Sequence, residues 1–217
     1  MDLPLEMLLK NKDYLEIARL QDEVISRLYS VDNKFTFHGG TSIWRCYGGK
    51  RFSYDLDIYA KSIGVAIKSV NNLRRYGLTI KNTKVRKGAR PISYYVVSNG
   101  KAFITLEFCQ KRVVDRIIAT YTKVDGSRTD IFSLSPESLI TEKIDAYNSR
   151  KAIKDMYDLF ILAHIANVNE TSSDITRFLR GIKRPVDENT LSQLVYDGLI
   201  PSFNEILDYI KRHYEIR

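Results

Sequence analysis

Residues 37–58 read FHGGTSIWRCYGGKRFSYDLDI, and the succession of residue types along this stretch decides the fold. Residues 35–38 (FTFH) have the character of a short strand that runs into a tight Gly39-Gly40 turn. Residues 41–47 resume helical spacing, which Gly48-Gly49 ends. Residues 54–59 (YDLDIY) then alternate polar and apolar side chains, the period of a half-buried strand. Strand, glycine turn, short helix, strand: the order predicts a mixed α/β part at the head of the chain.

The same stretch carries the candidate chemistry. In Asp55-Leu56-Asp57, strand alternation puts both carboxylates on one face and Leu56 on the other. Two neighbouring carboxylates are costly to keep ionised. A hard dication, Mg2+ (or Mn2+), relieves that cost because it prefers carboxylate oxygens together with substrate phosphates. An Asp-x-Asp on a solvated edge strand needs no such partner, so the pair does not decide alone. Glu107 adds to it: within ITLEF (104–108) it falls on the polar face between apolar neighbours. A third carboxylate on an adjoining strand would complete a two-metal site with ions about 3.5–4 Å apart. Gly39 and Gly40 let backbone amides approach a phosphate, the helix start behind them offers free N–H groups, and Thr41 can add a hydroxyl donor.

Working outward, residues 8–28 repeat apolar side chains at helical spacing and predict an opening helix, with Pro4 in its first turn. Residues 63–76 predict a helix stopped by Gly77. Strands follow at 78–85, 92–97 and 102–108, the last two joined across Asn99-Gly100, a strong hairpin signal. A second hairpin turns at Asp125-Gly126. After Ser135-Pro136-Glu137, a helix start with its cap, the pattern is helical to the end. The predicted fold class is therefore α+β, a mixed β-sheet with flanking helices over residues 1–134 and a helical domain over 135–217.

Charge is unevenly placed. The formal net charge is +8. From residue 58 to 106 there is no acidic residue but ten basic ones, while the rest of the chain is slightly acidic. Such a segment points to a polyanionic partner, nucleic acid ahead of membrane, and Arg74, Arg75, Lys81, Lys84, Arg86, Lys87 and Arg90 are its candidate RNA contacts. Cys46 and Cys109 are too few and too far apart for a zinc knuckle or a disulfide framework and read as inert thiols. The three histidines lack ligand spacing, and His38 is assigned strand packing only. No run is long enough to span a bilayer, and the first residues lack the basic start and cleavage site of a signal peptide, so a cytoplasmic protein is expected.

The order strand, Gly-Gly-Thr, helix, Asp-x-Asp strand, hairpin, Glu strand resembles the nucleotidyltransferase superfamily. More narrowly, residues 37–58 look like the signature of the AbiEii/MenT nucleotidyltransferase toxins, with Arg51-Phe52-Ser53 just before the carboxylates as its more specific part. Residues 137–162, ESLITEKIDAYNSRKAIKDMYDLFIL, are similar to the helical-domain motif of that family. The resemblance implies a nucleoside triphosphate substrate near Gly39, Gly40, Thr41, Arg51 and Ser53. It also implies a metal site at Asp55, Asp57 and Glu107, Lys143 against the triphosphate, and Asp158 in the active-site wall, with Asp155 assisting or orienting Arg150. A tRNA acceptor and a cognate antitoxin protein follow as expected partners. Taken without the first block, Lys143, Asp155 and Asp158 read as an ordinary salt-bridged helix surface.

Other chemistries fit less well. His38-Gly39-Gly40 could open an esterase oxyanion turn, but no Gly-x-Ser-x-Gly elbow occurs. There is no Gly-x-x-x-x-Gly-Lys-Ser/Thr phosphate loop either. Two alternatives stay open: transfer to a protein or small-molecule acceptor, and an inactive family member that binds RNA through the basic segment, with Tyr94, Tyr95 and Tyr121 stacking on bases.

Overall fold

A computed structural model describes residues 3–31, 34–88 and 90–216. The chain divides into two compact units, Met1–Cys46 with Ser53–Leu134, and Tyr47–Phe52 with Ser135–Arg217. The first unit holds α1 (Leu5–Leu8), α2 (Lys12–Val31), β1 (Thr36–His38), α3 (Gly39–Cys46), β2 (Leu56–Ala60), α4 (Ile63–Arg74), β3 (Thr79–Arg86), β4 (Ile92–Ser98), β5 (Phe103–Gln110), β6 (Arg116–Thr122) and β7 (Arg128–Leu134).

The described strands form a seven-stranded sheet in the order β3-β4-β5-β2-β1-β7-β6. It is mixed: β2–β5 and β1–β7 are parallel and the other pairs antiparallel. Both hairpins stand where the turn residues place them. Gly100 (φ 85°) and Gly126 (φ 83°) take the left-handed backbone that their turns require. Leu56, Ile58, Ile104, Leu106, Phe108, Tyr95 and Val97 point to one face and form a core with Leu20, Val24 and Leu28 of α2 and Ala66, Val70 and Leu73 of α4. Each such aliphatic side chain contributes about 1.5–3 kcal/mol by leaving water. The alternate residues of the same strands, Asp57, Tyr59, Tyr94, Val96, Thr105 and Glu107, are half-buried on the other face.

Three local expectations are corrected. The opening helix breaks after Leu8, because Asn11 turns its side chain to accept the N–H groups of Asp13 and Tyr14 and starts α2 afresh. Gly39 and Gly40 are not a separate turn but the first residues of α3. Asp55 precedes β2 rather than lying in it, since pairing begins at Leu56.

The second unit is helical: α5 (Pro136–Arg150), α6 (Ile153–Ala163), α7 (Val168–Leu179), α8 (Leu191–Leu194) and α9 (Phe203–His213). Ser135 caps α5 by accepting the Ser138 N–H, and Ser202 with Glu205 forms a capping box on α9. Residues 47–52 join this unit through their backbone. Phe52 N–H donates to the Leu194 carbonyl at 2.8 Å and Tyr196 N–H to the Lys50 carbonyl at 3.1 Å. No described helix is long and apolar enough to cross a membrane.

One buried charge cluster fixes α3 in the first unit. The Arg45 side chain is fully enclosed, with its guanidinium 4.8 Å from the Trp44 and Tyr121 ring centroids, and it pairs with Asp22 of α2. Arg45 Nε donates to the Thr122 carbonyl at 2.8 Å, while the Tyr121 hydroxyl and the Val124 N–H both donate to Asp22. Asp22→Ala leaves Arg45 buried without its counter-charge, so stability measured by urea unfolding is expected to fall by about 3–5 kcal/mol.

Candidate functional site

Residues directly opposite each other on paired strands share a face. His38 of β1 faces Asp57 of β2, Asp57 faces Glu107 of β5, Glu107 faces Tyr94 of β4, and Tyr94 faces Lys84 of β3. These five side chains stand in one row across five strands, on the half-open side of the sheet. The row was partly legible in advance: a turn at Asn99-Gly100 that pairs Ser98 with Phe103 also pairs Tyr94 with Glu107. Neither Tyr94 nor His38 was assigned there from sequence.

Asp57 sits where α3 begins. Gly39 has φ 76°, and a Cβ on it would lie 2.0 Å from Asp57 Oδ2, so the carboxylate occupies the space that any other residue would need. The free N–H groups and the positive end of the α3 dipole favour negative charge at this point. The loop before β2 is pinned by side chains. Thr41 Oγ1 donates to the Asp55 carbonyl at 2.5 Å, and Gln21 Nε2, fully buried on α2, donates to the carbonyls of Ser53 at 2.8 Å and Tyr54 at 3.1 Å. Thr41 was expected to face a phosphate. Its hydroxyl is turned inward instead, and its work is to hold Asp55. Asp55 itself is exposed at the head of β2.

Burial raises the Glu107 carboxyl above its ordinary range, and the negative charges of Asp57 and Asp55 push it further, against the pull of His38 and a hydrogen bond with Tyr94. Burial and Glu107 likewise push the Tyr94 hydroxyl up. Among the described residues no three His, Cys, Asp or Glu side chains converge as a ready-made metal cage. What is present is an all-oxygen pair, Asp57 and Glu107, with Asp55 beside it. That donor set fits a hard divalent ion whose remaining ligands are water and substrate phosphate.

The second unit gathers the other block of candidates. Arg51 is clamped by Asp158, with Nε 2.6 Å from Oδ1 and the other nitrogen 2.5 Å from Oδ2, and its third nitrogen donates to the Phe52 carbonyl. Lys143 Nζ is 2.7 Å from Asp158 and 3.5 Å from Asp155, and Arg150 grips Asp155 with two bonds of 2.6 and 2.7 Å. Arg51, Lys143, Asp155 and Asp158 are all buried. Burial alone would raise the Asp158 carboxyl, but Arg51 and Lys143 outweigh it and hold the group below its ordinary value. Arg51 therefore serves Asp158 rather than presenting a free fork, and Ser53 is held in the first unit by its carbonyl.

The basic candidates separate by face. A β-bulge between Asn82 and Lys84 shifts the register of β3, so Lys81, Lys84 and Arg86 pair with Val96, Tyr94 and Ile92 on the side of the carboxylate row. Arg74 and Arg75 lie at the end of α4, over the opposite face, where Arg74 bonds Asn71. Lys87 and Arg90 are exposed beside the β3–β4 turn. Base stacking by Tyr95 and Tyr121 is ruled out by burial: Tyr95 packs edge-on to Phe108 and Tyr121 is fully enclosed. Burial pushes the Cys46 thiol up to about 12, as an inert thiol requires.

The family model of the nucleotidyltransferase AbiEii toxin, of type IV toxin–antitoxin systems, matches residues 25–202. Curated proteins give no match. Among solved structures, the chain is similar to MenT4, a nucleotidyltransferase toxin of Mycobacterium tuberculosis, at TM-score 0.65 and 17% identity over 99% of this chain and 89% of that one. A candidate nucleotidyltransferase from Helicobacter pylori gives TM-score 0.53 at 18% identity, covering 95% and 93%. JHP933 from Helicobacter pylori gives 0.50 at 17%, covering 92% and 89%. At these identities the structures speak for the fold.

Two variants, Asp158→Ala and Asp57→Asn, test the two clusters. Asp158→Ala strands two buried cations and is expected to cost about 3–5 kcal/mol in urea unfolding; an unchanged transition would show the network to be idle. Glu107 is raised in the folded chain, so its contribution to stability is complete below its unfolded value and lost as pH rises through the folded one. Asp57→Asn should bring its titration down, read by carbon NMR of labelled glutamate; if the pair holds a dication, added Mg2+ or Mn2+ is expected to raise the melting temperature of the wild type at neutral pH and not that of the variant.

Proposed function

The chain belongs to the AbiEii nucleotidyltransferase toxin family, and from that premise we propose that it moves a nucleoside monophosphate from a nucleoside triphosphate to the 3′ hydroxyl of tRNA. The observation that carries the reading is the Asp57–Glu107 pair set against the N-terminus of α3. That arrangement brings carboxylate oxygens to a place where backbone amides can meet phosphate.

Gly39 and Gly40 would receive the triphosphate through the free N–H groups at the start of α3, beside the Asp57 carboxylate that rests on Gly39. Asp55, Asp57 and Glu107 would hold Mg2+ (or Mn2+), which when bound supplies neutralising charge for the triphosphate and the developing alkoxide. The acceptor oxygen bonds to the α-phosphorus as the bond to the bridging oxygen breaks. Pyrophosphate leaves, and the hydroxyl proton passes to Glu107 directly or through water. Tyr94 keeps the Glu107 carboxylate oriented. Lys143 is the residue that the family motif assigns to the triphosphate, and Asp158 keeps Arg51 in place. Lys81, Lys84 and Arg86 steer RNA on the carboxylate face, with Arg74, Arg75, Lys87 and Arg90 adding to the surrounding field. Transfer to tRNA would arrest translation, the action of a toxin, and an antitoxin protein would restrain it.

The test incubates wild type and Asp57→Ala with bulk tRNA, Mg2+ and each α-labelled nucleoside triphosphate in turn. Label on tRNA with wild type alone, while circular dichroism shows the variant folded, is the expected result. Label on protein or a small product would replace the acceptor, and no label anywhere would leave an RNA-binding protein without catalysis.

A further inference from the structure

The face that bears the carboxylate row continues past Tyr59 into a cavity of about 550 Å³ walled by Lys34, Lys61, Lys111, Arg112 and Arg116. No carboxylate lines it, and of the five cations only Lys61 belongs to the acid-free segment. A ladder of rings links row and cavity. Tyr59 lies two residues beyond Asp57 on the same face, about 6.6 Å along β2, stacked on His38 at 3.7 Å with Lys111 Nζ 4.4 Å from its centroid. The wall is preorganised: Arg116 donates to the Lys34 carbonyl at 3.1 Å and lies 4.2 Å from the Phe132 ring centroid, and Lys111 N–H extends the strand pairing to the Ala60 carbonyl. Five cations line one space, and a chain of phosphates passing through it is attracted to all of them.

We propose that this cavity is the acceptor subsite, holding the backbone phosphates of a polyribonucleotide next to its reacting 3′ end. The inference rests on the transfer reading above and adds the direction from which the acceptor comes. β1 runs from Thr36 to His38 and delivers Gly39 at the Asp57 end of β2, while Thr36 pairs with Tyr59 at the other end. With the triphosphate at Gly39 and Gly40, pyrophosphate departs on that side. Displacement at phosphorus runs in line, so the attacking hydroxyl enters from the side of Tyr59, and the phosphates behind it fall among the five cations.

Lys61 and Arg112 are both exposed, so Lys61→Gln/Arg112→Gln removes two charges without disturbing the core. A 5′-fluorescein single-stranded RNA with a free 3′ hydroxyl is titrated by anisotropy over a range of salt. The slope of log affinity against log salt is expected to become shallower by about 0.7 per lost contact, about 1.4 for the pair. The KM for acceptor RNA should rise about tenfold, at unchanged KM for the triphosphate. Lys10→Gln/Lys12→Gln, which removes the same charge elsewhere, should leave the slope near that of wild type. A slope equal to wild type, or a rise in triphosphate KM instead of acceptor KM, overturns the subsite. Loss of slope in a protein whose wild type labels no RNA upholds RNA binding at this cavity but overturns the transfer reading and, with it, the acceptor role.

Discussion

The Asp57 carboxylate rests on Gly39 with no room for a Cβ between them, and the first unit is arranged around that contact. It demands a positive φ where β1 ends, a helix that begins at once, and a returning strand held in one register. Each demand is met by a separate device. The Arg45–Asp22 pair fixes α3, and Thr41 with Gln21 ties down the carbonyls of residues 53–55. The parallel pairing of β2 with β5 then brings Glu107 opposite Asp57. Two carboxylates brought side by side and partly desolvated are a destabilising arrangement unless something positive arrives. The fold thus spends stability at one point, which on the proposed reading is where a dication and a polyphosphate arrive.

The second unit solves the opposite problem. Asp155 and Asp158, enclosed on α6, are met by Arg51, Lys143 and Arg150. Each carboxylate takes a bidentate guanidinium, and Lys143 is shared between them. Such networks are worth little over an apolar core but are expensive to break, so they specify an arrangement more than they stabilise it. Arg51 is the telling member. It lies only four residues before Asp55 in sequence, yet its fork is committed to Asp158, and the backbone around it pairs with Leu194 and Tyr196.

The alternating strand at residues 54–59, the Asn-Gly and Asp-Gly hairpins and the capped helix at Ser135 could all be read from sequence, because each is a local rule satisfied by neighbours in the chain. What escaped reading was set by distant partners. Thr41 carries the hydroxyl that a phosphate loop would want, but only the position of the Asp55 carbonyl shows that it is already engaged. Gln21 is a polar residue on the buried stripe of an amphipathic helix, a visible anomaly whose explanation lies 32 residues away. Strict alternation would have put Lys81 and Lys84 on opposite faces of β3. The extra residue of the bulge brings them together, and nothing in the local composition announces it.

The acid-free run from residue 58 to 106 suggests a polyanion partner but names no surface for it, because a run in sequence is cut by the sheet into two faces. Arg74 and Arg75 go to one, Lys81, Lys84 and Arg86 to the other. On the carboxylate face the positive charges stand at the two ends, β3 on one side and the Lys111–Arg116 cavity on the other, with Asp57 and Glu107 between them. A polyphosphate chain is attracted to both ends and repelled from the middle by the two carboxylates. On the proposed reading, that field holds the backbone of the acceptor to the flanks and keeps the centre for the groups that carry their own neutralising cation. The same charges that bind RNA would thereby prevent it from occupying the place of the nucleotide.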